Sequence, residues 1–204
     1  MEAGPSNLPD CDENGTEALV DMAKNVMKKI VEFNKDFTEF IEAQRMLAKK
    51  LFNNVTRYNI LTSGPPLEFP IVPREELLEE LIATIHDQSS KIYRALTKIK
   101  DKYDTLPLMN NTLQQQSDQV DWNPTTNFEI KGTIKYKQPS EYLEAICDML
   151  YQYDIVIACM LHYYYALNIH EKDSYENLMN SFSISRELSD FVNEFKINAL
   201  LFKK

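Results

Sequence analysis

The sequence predicts an all-α fold, in which an elongated helical hairpin or coiled coil is followed by C-terminal helices, with one short β insert between them. Three observations lead to this prediction: a heptad of apolar residues over 16–58, a second apolar stripe over 78–103, and a strongly apolar segment after residue 139. Hydrophobic residues make up 44% of the 204-residue chain and charged residues 26%, which is the balance of a globular protein that can bury a core.

Residues 1–15 are predicted to form an acidic disordered tail. Residues 1–21 contain six acidic residues and no Lys or Arg, so they supply −6 of the formal net charge of −9. A chain of this sign repels a phosphate backbone, so we expect protein partners and no direct nucleic-acid binding. The tail resembles no signal peptide, and the odd number of cysteines predicts a reducing compartment.

Residues 16–106 are predicted to form a long helical hairpin, which reverses direction in the proline-rich segment 62–73. A helix over 16–58 would extend roughly 65 Å, well beyond the dimensions of a compact globule, so we expect another chain to complete its apolar stripe. Gln44 and Asn54 interrupt the stripe, either through fraying or as a polar layer against a partner helix. The residues of this helix predicted to bind a partner are Phe33, Phe37, Phe40 and Leu47.

Residues 107–139 are predicted to be a loop with a short β segment. Apolar residues alternate with polar ones over 128–137, which is strand periodicity, and such a strand would pair internally or with a partner's sheet. Three lysines (Lys131, Lys135 and Lys137) protect its outer face or, less well supported, contact nucleic acid. The partner-binding residues predicted here are Trp122, Pro124, Thr125, Thr126, Phe128, Ile130, Ile134 and Tyr136. Alternatively, Trp122 covers the third helix of its own chain.

Residues 140–204 are predicted to form three helices. Ser140 is expected to cap the first, which runs to about residue 169 and is apolar almost all round, as in a buried helix. Its acidic residues leave too short a charge-free stretch for a membrane span, so no membrane association is predicted. A short helix over 174–182 follows, and Ser185 is expected to cap the last helix.

No catalytic, cofactor or metal site is predicted. With glycine only at positions 4, 15, 64 and 132, the chain contains no Gly-rich phosphate loop. Cys159 and His162 share a helix face and His170 lies two turns away, which is half of a zinc site, but a structural thiol explains the same residues without further ligands. We therefore predict that the protein is not an enzyme and requires no cofactor.

Three segments of the chain together resemble the cyclin-dependent kinase 2-interacting protein family. They are residues 79–85 (Glu-Glu-Leu-Ile-Ala-Thr-Ile), residues 96–99 (Leu-Thr-Lys-Ile) with Lys102, and the group Trp122, Pro124-Thr125-Thr126 and Phe128 ahead of a Tyr- and Leu-rich helix. In the family the Trp runs directly into Pro-Thr-Thr, whereas Asn123 intervenes here, and the insert over 129–139 is longer. The resemblance covers roughly residues 75–195.

This resemblance implies a nuclear, non-enzymatic helical adaptor that functions in DNA replication, the cell cycle and the DNA damage checkpoint. It also implies an accessory subunit of a AAA+ ATPase assembly in ribosome maturation and replisome turnover, beside a second helical subunit. The expected partners are that subunit, the ATPase and a cyclin-dependent kinase, in a hetero-oligomer located in the nucleus, with the cytoplasm as a second location. Two alternatives remain open: a generic coiled-coil tether and a small helical metal-dependent enzyme.

Overall fold

The structure, a computed structural model, describes residues 13–65, 73–120, 122 and 138–201. It contains five helices in chain order: α1 (Glu13–Ser63), α2 (Arg74–Ser117), α3 (Pro139–Tyr165), α4 (Lys172–Ser181) and α5 (Arg186–Leu201). No strand occurs in these ranges, and the predicted all-α fold is confirmed. The predicted β segment over 128–137 and most of the predicted acidic tail lie outside the described residues, although α1 already begins at Glu13, inside the range assigned to the tail.

Helices α1 and α2 form an antiparallel hairpin. Asn54 Nδ2 of α1 donates a hydrogen bond to Gln88 Oε1 of α2 at 3.2 Å, while further along the pair Lys102 Nζ lies 2.5 Å from Asp36 Oδ2. Asn54 therefore belongs to a polar layer between two helices of the same chain. A polar pair inside an apolar seam fixes the register, because a shifted alignment would bury both amides without partners.

Helix α2 continues to Ser117, so the loop predicted to begin at residue 107 is wrong in its first eleven residues. Pro107 lies inside the helix and removes one backbone hydrogen bond, but Leu106 and Leu113 are both buried and continue the apolar stripe past it. The amides that suggested a loop contact α3 instead: Asn110 Nδ2 and Gln114 Nε2 lie 3.6 and 3.3 Å from the Cys147 sulfur. Burial of the two leucines offsets the weak helix propensity of this segment.

The C-terminal helices cover the apolar stripe of α1. Tyr153 of α3 is completely buried, and its ring lies edge-on to the rings of Phe33 and Phe37 at centroid distances of 5.0 and 5.2 Å. Its hydroxyl donates a 2.7 Å hydrogen bond to Oδ1 of the buried Asn34. Helices of the same chain thus complete the stripe that we expected another chain to complete. We predicted a second chain from the length of the first helix alone. That prediction is wrong because it did not consider the later helices of the same chain, which pack along the first helix.

The ends of the C-terminal helices follow local capping chemistry. Helix α3 begins at Pro139 rather than at Ser140, because proline suits the first helical position, where its missing N–H has no helical acceptor to lose. The backbone N–H of Gln138 donates to Glu141 Oε1 at 3.4 Å. Ser185 accepts a 3.1 Å hydrogen bond from the backbone N–H of Leu188 through Oγ, which confirms its predicted role as the cap of α5.

The buried tyrosines predict that the fold loses stability in alkaline solution. Burial, with smaller contributions from Asp154 and Asp104, raises the pKa of Tyr103 to about 12, and burial also raises the pKa of Tyr153. The folded state thus favours the neutral phenols, whose pKa is about 10 in the unfolded chain. Their contribution to stability is fully present below about pH 10 and falls as the pH rises towards 12. Thermal melts followed by circular dichroism should show a constant Tm up to about pH 9 and a decrease above pH 10; a Tm unchanged at pH 12 would contradict this.

Candidate protein-interaction surface

The four predicted partner-binding residues of α1 lie in or against the core of the chain. Phe33 and Phe37 are 5% and 1% exposed, and their rings stack on each other at 5.7 Å. Phe40 is half-buried, and its ring lies 6.1 Å from that of Phe37 and 5.9 Å from that of Phe182, which follows α4. Leu47 is also half-buried against the core. The structure therefore brings the three phenylalanines together as one aromatic cluster inside the fold.

Trp122 lies just beyond the end of α2, where it is half-buried against the core. Its indole Nε1–H donates a 2.9 Å hydrogen bond to the backbone carbonyl of Ser117, in the last turn of the helix. The same carbonyl accepts a 3.2 Å hydrogen bond from the backbone N–H of Val120, so the indole is its second donor at the end of the helix. The observed hydrogen bond joins Trp122 to α2 of its own chain, whereas the alternative named the third helix. A role of Trp122 in partner binding stays a prediction.

Trp122→Phe is expected to lower the free energy of unfolding by about 0.5–1.5 kcal/mol, because phenylalanine keeps most of the apolar contact but cannot donate to the Ser117 carbonyl. Urea unfolding followed by circular dichroism measures this difference. As a control, Tyr151→Phe on α3, where the side chain is 64% exposed, should leave the stability within about 0.5 kcal/mol of wild type. Unchanged stability of Trp122→Phe together with weakened partner binding would assign Trp122 to docking instead.

The remaining predicted site residues fall outside the described ranges. They are Pro124, Thr125, Thr126, Phe128, Ile130, Ile134 and Tyr136. Their predicted contact with a partner stays a prediction.

The outward face of α3 carries an apolar stripe that no described helix covers. It consists of residues at helical spacing, and we call it the outer stripe: Tyr151, Ile155, Ala158, His162 and Tyr165. All five are exposed, with Tyr151 at 64% and Tyr165 at 69%. At 1.5 Å per residue the outer stripe extends about 21 Å, which is long enough for three turns of a partner helix. The opposite face of α3 contributes eight buried residues to the core.

An aromatic cluster lies at the C-terminal end of the outer stripe. The ring of Tyr93, on α2, stacks on that of Tyr164 at 5.3 Å and lies 6.4 Å from the ring of Tyr165. A hydrogen bond with Tyr93 raises the pKa of Tyr165, and the Ser89 hydroxyl donates to the Tyr164 hydroxyl at 3.3 Å. The ring contacts and the Ser89 hydrogen bond restrict the motion of these aromatic rings, which lowers the entropy lost when a partner covers them.

The three residues that we considered as possible zinc ligands lie on the surface of the protein. Cys159, His162 and His170 are all exposed, so the structural thiol expected at Cys159 is not buried. Cys159 follows the outward side of α3 because its neighbours Ile157 and Met160 occupy the inward side. Among the described residues, no group of three or more His, Cys, Asp or Glu is placed to hold a metal ion. None of the helices in the described ranges has the length and apolar character needed to cross a membrane.

The sequence reasoning missed the outer stripe, although the signal was present. Helix α3 contains more apolar residues than one helix face can bury, so part of them had to face outward or meet another chain. We placed the partner-binding residues on α1 because its heptad was more regular. The regular heptad of α1, however, packs against other helices of the same chain. The apolar residues of α3 that exceed one buried face are the ones that lie exposed.

Comparison with known proteins does not assign the chain to a family. No family model matches the sequence, and a search of curated proteins finds no significantly similar one.

Proposed function

We propose that this chain is a non-enzymatic adaptor subunit of a nuclear protein complex, and that it binds a helical partner through the outer stripe of α3. The observation that carries the proposal is a pair of opposite faces on one helix: an inward face buried in the core and an outward apolar face exposed at Tyr151, Ile155 and Tyr165. Exposed apolar surface of this kind is typical of protein interfaces, and tyrosine is one of the residues that dominate their binding energy.

The nature of the complex is proposed from the family resemblance. Two of the three resembling segments lie on α2, where Ile85, Leu96 and Ile99 are buried against the other helices. These buried residues of α2 then correspond to the helical scaffold of that family. The partners that the resemblance implies are a second small helical subunit and a AAA+ ATPase, with a cyclin-dependent kinase as a further partner. The proposed roles are then DNA replication, cell-cycle and checkpoint control, and ribosome maturation.

The core of the chain favours an adaptor over a coiled-coil tether. A tether would self-associate through residues 16–58, but the apolar positions of this helix that such pairing would use, among them Val26, Phe37 and Leu51, are each at most 1% exposed. Pairing two copies through this surface would first require the C-terminal helices to separate from α1. We therefore expect the isolated chain to be a monomer.

Affinity purification of the tagged chain at its native expression level, followed by quantitative mass spectrometry, tests the proposal. We expect a small helical protein and a AAA+ ATPase in constant ratio to the tagged chain. Recovery of only further copies of this chain would favour the tether. A stoichiometric metal in the purified protein, found by elemental analysis, would favour the metal-dependent enzyme and overturn the adaptor proposal.

A further inference from the structure

The last part of α2, residues 107–117, differs from the rest of that helix, and we call it the α2 tip. It begins with Pro107, which lies inside the helix. Proline has no backbone N–H, so the carbonyl of Tyr103, four residues earlier, loses the donor that a helix normally supplies. The hydrogen-bond ladder of α2 is therefore interrupted at the residue where the α2 tip begins.

Few buried apolar side chains hold the α2 tip against the core. Leu113 is its only fully buried apolar residue, and Met109 is half-buried. Asparagine and threonine, which occupy positions 110–112, also have a low helix propensity. The part of α2 before the tip buries six apolar residues: Ile85, Ile92, Leu96, Ile99, Tyr103 and Leu106. Apolar burial therefore stabilises the tip much less than the helix that precedes it.

Two buried oxygen atoms of the α2 tip have no hydrogen-bond partner. They are Asn110 Oδ1 and Gln116 Oε1, which are two of the three such side-chain atoms in the described part of the chain. Buried polar groups normally have a partner, because an acceptor that leaves water without finding one costs free energy. The Asn110 carboxamide uses only its nitrogen, which lies 3.6 Å from the Cys147 sulfur. Packing of the tip against the core thus removes both oxygens from water without replacing their hydrogen bonds.

The charge at the end of the α2 tip is also unfavourable. The C-terminus of a helix carries a partial negative charge, which basic side chains stabilise. The last turn of α2 contains no basic residue, and the acidic residue Asp118 follows it as the C-cap. The helix dipole therefore gives the tip no stabilisation from its own side chains.

We propose that the α2 tip detaches from the core as one unit, with Pro107 as the hinge, while the rest of the chain stays folded. The interrupted ladder, the sparse apolar contact and the two unpartnered oxygens all lie in the same segment. Each of them lowers the free energy needed to open the tip without weakening the helices around it. In the open state both oxygens are hydrated and Leu113 is accessible. This inference goes beyond the proposed function and holds whatever covers the outer stripe.

Residue-resolved amide hydrogen exchange of the full-length chain, measured by NMR, tests the inference. We expect the backbone amides of residues 111–117 to be protected at least about 100-fold less than those of residues 92–103. Opening the tip exposes little surface, so about 1 M urea should change its exchange by less than about twofold but accelerate exchange of the reference amides about tenfold. Protection within the tip should be uniform, because its amides open together.

A helix that only frays from its end would give a different profile, in which protection rises steadily from Ser117 towards Pro107. Such a profile would overturn the inference. Equal protection of the tip and the reference amides, or an equal urea dependence, would overturn it as well, because the tip would then open only when the whole chain unfolds.

The matched variants Asn110→Leu and Asn111→Leu test the role of the buried oxygen. Both give the tip a residue of similar size and higher helix propensity, but only Asn110→Leu removes an unpartnered oxygen, because Asn111 is exposed. We expect Asn110→Leu to slow exchange in the tip at least about fivefold more than Asn111→Leu does. Equal effects would overturn the inference. Circular dichroism checks that both variants fold, and the wild-type profile decides the question if Asn110→Leu does not.

Discussion

Phe37→Ala is expected to lower the free energy of unfolding by about 3–5 kcal/mol. The side chain is 1% exposed, and its ring contacts those of Phe33, Phe40 and Tyr153. Alanine would remove these contacts and leave a cavity that the rigid helices around it cannot close. Since small proteins are stable by only about 5–15 kcal/mol, a large part of the total would be lost.

The control for this prediction is Met46→Ala on the same helix. Met46 is 62% exposed, so its replacement should change the free energy of unfolding by less than about 0.5 kcal/mol. Urea unfolding of the isolated chain measures both variants. If Phe37→Ala kept wild-type stability but failed to bind its partner, Phe37 would be an interface residue, as we predicted from the sequence, and the packing in the structure would be contradicted.

The second large effect is expected for the double variant Tyr151→Lys, Ile155→Lys in the outer stripe. Interface residues that dominate binding each contribute about 2 kcal/mol or more, so the pair should weaken the complex at least about 100-fold. Both residues are exposed, so the stability of the free chain should remain within about 0.5 kcal/mol for each substitution. Quantitative recovery of the co-purifying proteins measures the effect on binding.

The matched control for the outer stripe is Met46→Lys, Ile60→Lys on α1. These two residues are 62% and 64% exposed, and the substitutions add the same two charges to exposed apolar positions elsewhere. Partner recovery should be unchanged. Equal loss with both double variants would show that added charge, rather than the outer stripe, impairs the complex.

The helices could be predicted from the sequence where apolar spacing was regular. The heptad of α1 predicted the buried residues Leu19, Val26 and Leu51, which are each at most 1% exposed. Phe40 and Leu47 of the same stripe are only half-buried. The same pattern could not reveal which helix covers it. That information lies in contacts between residues such as Phe37 and Tyr153, which are far apart in the sequence and follow no local rule.

The segment after Pro107 shows the opposite failure. Proline and a run of asparagines and glutamines are typical of a loop, and local propensity decided the prediction. In the structure, burial of Leu106 and Leu113 maintains the helix, and Asn110 and Gln114 use their amides against Cys147. The residues after Pro107 do have a low helix propensity, but tertiary contacts stabilise the helix here in spite of it.

The candidate site was even less accessible to prediction, since exposure is a property of the assembled fold. Tyr151 and Tyr153 are two residues apart on one apolar helix, yet Tyr153 is completely buried and Tyr151 is 64% exposed. The two residues differ in which side of α3 they occupy, and only the packing of the other helices against α3 decides which side is buried.

Hydroxyl-radical footprinting of the free chain and of the purified complex tests the central claim most directly. We expect Tyr151 and Tyr165 to be modified in the free chain and protected in the complex, while the equally exposed Met46 is modified in both and the buried Tyr142 in neither. Equal modification of Tyr151 and Tyr165 in the two samples, or protection of Met46 alone, would show that the partner binds elsewhere and would contradict the assignment of the outer stripe.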